Sequence, residues 1–236
     1  MSISEPDPTL ARRSFMTRLG AGLAAIGGAF TLGAPALPAQ RAPAAPWTPT
    51  RHPQDDWMDG IAGQHRFFFD ATSPAGVGEA ITFASNFLAA SKSGYGLEHG
   101  DNAVIIGLRH HATAFAFTDA IWAKYGKPLG ERIKFTDPKT ATTPVINVYQ
   151  VTGYGTALTN RETTLDTMVQ RGVHFAICDM ATRAFAGVAA TALGLKSAEV
   201  YDEMKASVIP NAHFAAAGIV AVNRAQERGY AIQHIG

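Results

Sequence analysis

The run Ala103-Val104-Ile105-Ile106-Gly107-Leu108 contains no polar residue. A strand with one wet face alternates apolar and polar side chains, so a strand without alternation must be covered on both faces. That demand is met chiefly by parallel sheets flanked by helices. Two further short apolar runs, His65 to Asp70 and Gly172 to Cys178, read the same way. Between them lie segments with helical spacing. Glu79 to Ser93 places Ala80, Ile81, Phe83, Ala84, Phe87 and Leu88 at helical spacing, Thr113 to Tyr125 does so with Phe115, Ala116, Ala120, Ile121 and Ala123, and Thr159 to Arg171 with Leu165, Met168 and Val169. Gly94 and Gly96 are expected to close the first of these helices, Gly126 and Gly172 the other two, and Thr159 or Asn160 to cap the last. The alternation predicts one α/β domain: a three-layer, mostly parallel sheet of four to five strands with helices on both faces and right-handed crossovers.

After Cys178 an Ala-rich helix should run to about Gly194, and a second over Ser197 to Ala206. Val208 to Ala217 reads as a connection with a short strand, Gly218 to Arg228 as a helix and Tyr230 to Ile235 as the last strand. Residues 127–158 resist assignment. Pro128, Pro138, Pro144, Gly153 and Gly155 interrupt them, and only Val145 to Val151 looks like a strand. A connection this long is usually functional or interfacial.

The first 39 residues differ in character. Arg12-Arg13-Ser14-Phe15-Met16 is a twin-arginine pattern, followed by a mildly apolar Gly/Ala run from Leu19 to Ala34 and small residues around Pro35 to Ala39. This order is that of a Tat-type export signal, which predicts a periplasmic or otherwise extracytoplasmic protein. The apolar run is too short and too glycine-rich to be read as a membrane span, so none is expected after signal removal. Residues 40–61, with Pro43, Pro46, Pro49 and Pro53, read as a linker or arm that Trp47 and Trp57 could dock on the domain or a partner. Residues 62–236 form the domain.

Loss of residues 1–39 removes Arg12, Arg13 and Arg18 against Glu5 and Asp7, taking the formal charge from +1 to 0. A chain without basic excess is a poor fit to nucleic acid. Cofactor motifs are missing too. Gly76-Val77-Gly78 lacks the third glycine of a dinucleotide fingerprint, and there is no phosphate loop, no Gly-x-Ser-x-Gly elbow and no Cys-x-x-Cys-His. No bound cofactor is expected.

Chemistry therefore centres on Cys178, the single cysteine. It sits where an apolar strand gives way to a helix, at the sheet edge where open α/β folds bind ligands and where helix amides stabilise a thiolate. Asp179 opposes this by placing a negative charge beside it. His110 and His111 follow the second strand and should share the edge, with one reaching the cleft to bind substrate or take a proton. Cys178 is the candidate catalytic residue, with His110, His111 and Asp179 as candidate substrate contacts. A packed, inert thiol in a binding or assembly module is the first alternative. A small-ligand or metal site at His110, His111 and Cys178 is the second, although no metal-ligand spacing is present. His174 lies on the same strand face as Cys178 but about 13 Å away, so it reads as structural.

Several of these residues resemble a known family. Gly172-Val173, Ile177-Cys178 and Ala181, then Ile209-Pro210, Ala217-Gly218-Ile219-Val220 and Arg224-Ala225-Gln226-Glu227-Arg228-Gly229-Tyr230-Ala231, are similar to the DsrE/DsrF-like family, which includes sulfur-relay and YchN-like proteins. The resemblance spans roughly residues 62–236 and is clearest in the last third. It implies a compact parallel α/β domain that forms a homo-oligomer, a trimer or hexamer, and contacts a protein partner, here an exported one. It also implies that the cysteine at position 178 accepts and passes on sulfur as a persulfide. The export signal and the length of segment 127–158 depart from the relay members.

Overall fold

The computed structural model describes residues 47–236. The proposed signal lies outside the described residues. Five strands, β1 (His65–Ala71), β2 (Asn102–Leu108), β3 (His174–Cys178), β4 (Ala212–Ala215) and β5 (Ala231–Ile235), form one sheet in the order β4-β3-β2-β1-β5. Every pairing is parallel. The helices are α1 (Trp57–Gly60), α2 (Pro74–Tyr95), α3 (Asp119–Ile133), α4 (Leu165–Gln170), α5 (Asp179–Leu193), α6 (Ser197–Ala206) and α7 (Gly218–Gln226). Central β2 is buried along its whole length, as its unbroken apolar run requires.

Alternate residues of the strands feed two cores. Phe69, Val104, Ile106, Phe175 and Ile177 pack with side chains from α2, α3, α5 and α6, whereas Phe68, Ile105 and Ala176 pack with Ala221 and Ala225 of α7 and Met58 of α1. This is the three-layer arrangement. Right-handed crossovers account for it: β1 to β4 advance in one direction with their helices on one face, and the return from β4 to β5 puts α7 on the other. Gly107 is needed at the centre, because a Cβ there would lie 2.5 Å from the Phe68 ring.

Helix α2 follows its local signals. Ser73 caps it, its oxygen accepting the Gly76 N–H at 3.0 Å; Pro74 occupies the first position, and Gly96 closes it in the left-handed conformation. The expected helix over Thr113 to Tyr125 is corrected. Residues His110–Ala116 form a 3-10 turn whose side chains from Ala112 to Ala116 are all buried, and α3 starts at Asp119. It continues through Gly126 and Pro128 to Ile133. Here glycine makes room for a neighbour instead of ending the helix: a Cβ on Gly126 would lie 2.2 Å from the Pro144 carbonyl oxygen, and one on Gly130 2.4 Å from Thr143.

Val145 to Val151 is not a strand. The segment is held by Asn147, fully buried, whose side-chain amide donates to the carbonyls of Phe115 and Phe117 at 2.8 and 2.9 Å, and by Asp119, which accepts the Asn147 N–H. Helix α4 is also shorter than expected. Arg161 and Glu162 have φ of 48° and 66°, the Glu162 carboxylate accepts the N–H groups of Gly153 and Gly155, and the cap is Thr164.

Residues 53–61, expected to end an extended arm, instead form a 3-10 turn and α1. Met58 is fully buried, its carbonyl accepts from Tyr230 Oη at 2.7 Å, and Arg228 donates to Asp59 at 2.9 Å. Among the described residues no helix is long and apolar enough to cross a membrane.

Candidate functional site

Helix α5 leaves β3 toward one face and α7 leaves the adjacent β4 toward the other. Where connections from neighbouring strands diverge, the carboxyl edge of a parallel sheet opens into a crevice. The crevice here has a volume of about 270 Å³ and is lined by Arg109, His110, Cys178, Met180, Ala181, Ala217, Gly218 and Ile219. Larger hollows exist, about 500 Å³ between α2 and residues 156–161 and about 570 Å³ near Tyr95. Neither contains the cysteine, so chemistry and not size selects the cleft at β3.

Cys178 ends β3 and caps α5. Its Sγ accepts the Ala181 N–H at 3.4 Å, and its carbonyl accepts from Thr182 Oγ1 at 3.0 Å. The residue is 7% exposed, recessed but open to the cleft. The sulfur is thus the group that receives an orphan amide of a 15-residue helix.

Arg109 forms another wall. Its aliphatic stem lies flat on Gly218, where a Cβ would meet Arg109 Cβ at 2.2 Å. Its guanidinium makes a two-pronged contact with Asp70, Nε to Oδ1 at 2.7 Å and an Nη to Oδ2 at 2.9 Å. His234 reaches the same carboxylate at 3.0 Å. A carboxylate only accepts, so Nδ1 of His234 carries the proton. The hydrogen bond to Asp70 is the main cause of the Arg109 pKa being held above its ordinary value, against burial, with the Asp70 charge and the neighbouring Cys178 adding to it.

The two adjacent histidines part company. His110, at a φ of 55°, lines the cleft, whereas His111 stacks on it at 4.1 Å outside the cleft lining. Burial, followed by the nearness of His110, Arg132 and Lys134, lowers the His111 pKa. The left-handed backbone at His110 costs on the order of 1–3 kcal/mol, the kind of strain that collects at functional sites. Asp179 is likewise outside the cleft lining. Its Oδ1 accepts from Tyr201 Oη at 2.5 Å and its Oδ2 from Arg183 Nε at 2.8 Å, on the α6 side of the sheet.

His174 lies at the opposite end of β3. Its Nδ1 is 3.0 Å from Nε2 of His213, and Trp57 stacks on the His213 ring at 4.0 Å and 4°. Burial depresses both pKa values, and His213, next to His174, falls to about 4. Among the described residues no three His, Cys, Asp or Glu side chains group as a metal centre.

Asp70, His234, Tyr201 and the Trp57 stack are neighbours of the candidate groups that no local sequence pattern brings together. The readable signal was that Asp70, Arg109 and His234 each stand at the carboxyl end of an apolar run, and so at one edge. No family model, curated protein or solved structure matches the chain.

Proposed function

We propose that Cys178 takes up a sulfane sulfur and passes it on as a persulfide, in an exported protein of DsrE-like type. The supporting observation is the placement of the single cysteine: its sulfur caps α5 inside the crevice between β3 and β4, beside Arg109 and His110. The thiolate attacks the outer sulfur of a persulfide donor R–S–SH. A Cys178 S–S bond forms, the donor S–S bond breaks, and R–S⁻ leaves with the electron pair; no external oxidant or reductant is consumed. His110, which lines the same cleft, would exchange the thiol proton, and the Ala181 N–H that the sulfur accepts would hold it in place through the step.

Incubation with a small persulfide or polysulfide donor should add one sulfur, about 32 Da, to the intact protein, reversibly to dithiothreitol and not in Cys178→Ala. Absence of the adduct with any donor would reject the reading. The recessed thiol also supports a second reading, an assembly module with a packed cysteine, which predicts slow alkylation of the native protein and an oligomer unchanged in Cys178→Ser. The trimer or hexamer implied by the resemblance is checked by light scattering of the purified chain. Export is checked by N-terminal sequencing: loss of residues through Ala36 or Ala39 supports the signal, and an intact Met1 in the membrane fraction argues against cleavage.

A further inference from the structure

His234, Asp70, Arg109 and Cys178 stand in a row along the carboxyl edge of the sheet. His234 of β5 is the register partner of Asp70 of β1, and Asp70 that of Gly107 of β2. Leu108 of β2 pairs with Ile177 of β3, so Arg109 and Cys178 are the next residues on adjoining strands. Arg109 keeps an extended backbone, with φ −124° and ψ 165°. Alternation therefore puts Arg109 on the face of Gly107 and Cys178 on that of its partner Ala176, which is the α7 side of the sheet. The arginine and the thiol are neighbours by register, and both line the cleft of about 270 Å³.

Arg109 spends only part of its donor set on this row. Nε and Nη2 donate to the two oxygens of the buried Asp70, whose Oδ2 is shared with His234. Nη1, with two N–H groups, has no partner among the described residues. One edge of the guanidinium is thus fixed by a carboxylate and the stem by Gly218, while the side chain keeps 24% of its surface open. Apart from Arg109, His110 and Cys178, the cleft is lined by apolar side chains and glycine, with no carboxylate. Asp70 offsets the net charge of the arginine, so what the cleft offers a ligand is a set of directed, charge-assisted donors.

We propose that Arg109 is a specificity-determining residue for the sulfur donor: it binds the carboxylate of a small persulfide, ⁻O₂C–R–S–SH, while Cys178 takes the outer sulfur. This rests on Cys178 being the sulfur acceptor. A Cys178 S–S bond forms, the donor S–S bond breaks, and ⁻O₂C–R–S⁻ leaves with the electron pair, its carboxylate unchanged throughout. The cleft lies below the ~300–1,000 Å³ of sites for drug-sized ligands, which suits a donor the size of a mercapto acid or a thiol amino acid. An arginine present only to neutralise Asp70 would leave the choice of reagent at Cys178 unaffected.

The test compares iodoacetate with iodoacetamide, which differ in a carboxylate against a neutral amide. Both alkylate the same thiolate, so its acidity cancels in the ratio of their rates, and the ratio in the urea-unfolded chain is the reference. In the native whole chain, iodoacetate should be favoured over that reference by about tenfold, the worth of a charge-assisted hydrogen bond, and Arg109→Gln should lose the preference. A native ratio equal to the unfolded one, or a preference that survives in Arg109→Gln, would overturn the proposal. Where Arg109→Gln does not fold because it strands the buried Asp70, Asp70→Asn is added to it and the same two readings apply. The persulfides of 3-mercaptopropionate and 2-mercaptoethanol separate this proposal from the sulfur reading beneath it. The first should load Cys178 faster in the wild type and lose that advantage in the variant. Equal loading from both donors would reject the carboxylate site alone. An Arg109-dependent iodoacetate preference with no sulfur adduct from either donor would reject sulfur transfer and keep the carboxylate site.

Discussion

The two ends of β3 carry chemistry-bearing side chains on the same face of the sheet and treat them in opposite ways. At the amino end His174 is engaged by other side chains: it bonds His213, and Trp57 from α1 stacks on the pair. At the carboxyl end Cys178 faces a crevice, because α5 and α7 depart to opposite faces and no element crosses between them. The difference lies in topology more than in residue type. A histidine pair and a thiol are both capable of acid–base chemistry, and each borders a hollow, about 350 Å³ at His174 and about 270 Å³ at Cys178, but only at the carboxyl end do the connections diverge as they do where open α/β sheets bind ligands.

Breaking the stack at the histidine end should have the largest effect. Trp57→Ala removes an aromatic ring stacked on His213 and should cost about 3 kcal/mol, seen as a lower urea midpoint, while leaving Cys178 alkylation at its wild-type rate. Slower alkylation in that variant would show that the two ends are coupled. Closing the open end should come next. Gly218→Val would drive a side chain into the stem of Arg109 and fill the crevice, costing about 2 kcal/mol and slowing alkylation at least tenfold. Retained alkylation would place the reagent's route elsewhere.

The amino end should also give the protein an acid-sensitive stability. The folded His213 titrates near 4, below the ~6.5 of an unfolded histidine, so the unfolded chain binds protons first as pH falls. The contribution is complete above about pH 6.5 and is lost progressively toward 4. Because the ring is half exposed, solvent screening reduces it to about 1 kcal/mol. His213→Asn should flatten the fall in melting temperature between pH 7 and 4, and an unaltered slope would assign it to other groups. The smallest effect is expected at His110. Glycine accepts its left-handed backbone freely, so His110→Gly should stabilise by under about 1 kcal/mol while slowing alkylation. A stabilised variant with full thiol reactivity would remove His110 from the proposed proton exchange.

Much of this arrangement is readable in the chain. The five strands fall within a few residues of the predicted runs, and central β2 is the clearest, since a strand buried on both faces leaves no polar residue to blur its limits, whereas β4 and β5 are partly exposed and carry His213, Gln233 and His234. Segment 117–164 is not readable in that way. Its order comes from tertiary anchors, namely Asn147 on the Phe115 and Phe117 carbonyls, Glu162 on two glycine amides, and Gly126 and Gly130 under Thr143 and Pro144, none of which leaves a periodic trace. At the site, Cys178 and His110 could be placed on one edge because each follows a strand. The engagement of Asp179 could not, because Tyr201 reaches it from a different helix, 22 residues along the chain. The pairing of His174 with His213, 39 residues apart, depends likewise on β3 and β4 being neighbours.

The central claim is that the thiol at the open end of β3 carries sulfur, and intact-mass analysis after exposure to a persulfide donor tests it most directly. Wild-type protein should gain one sulfur, lose it to an added thiol, and gain none as Cys178→Ala. A wild-type chain whose mass does not change while its native thiol is readily alkylated would contradict the claim, since the cysteine would then be accessible and reactive but not a sulfur carrier.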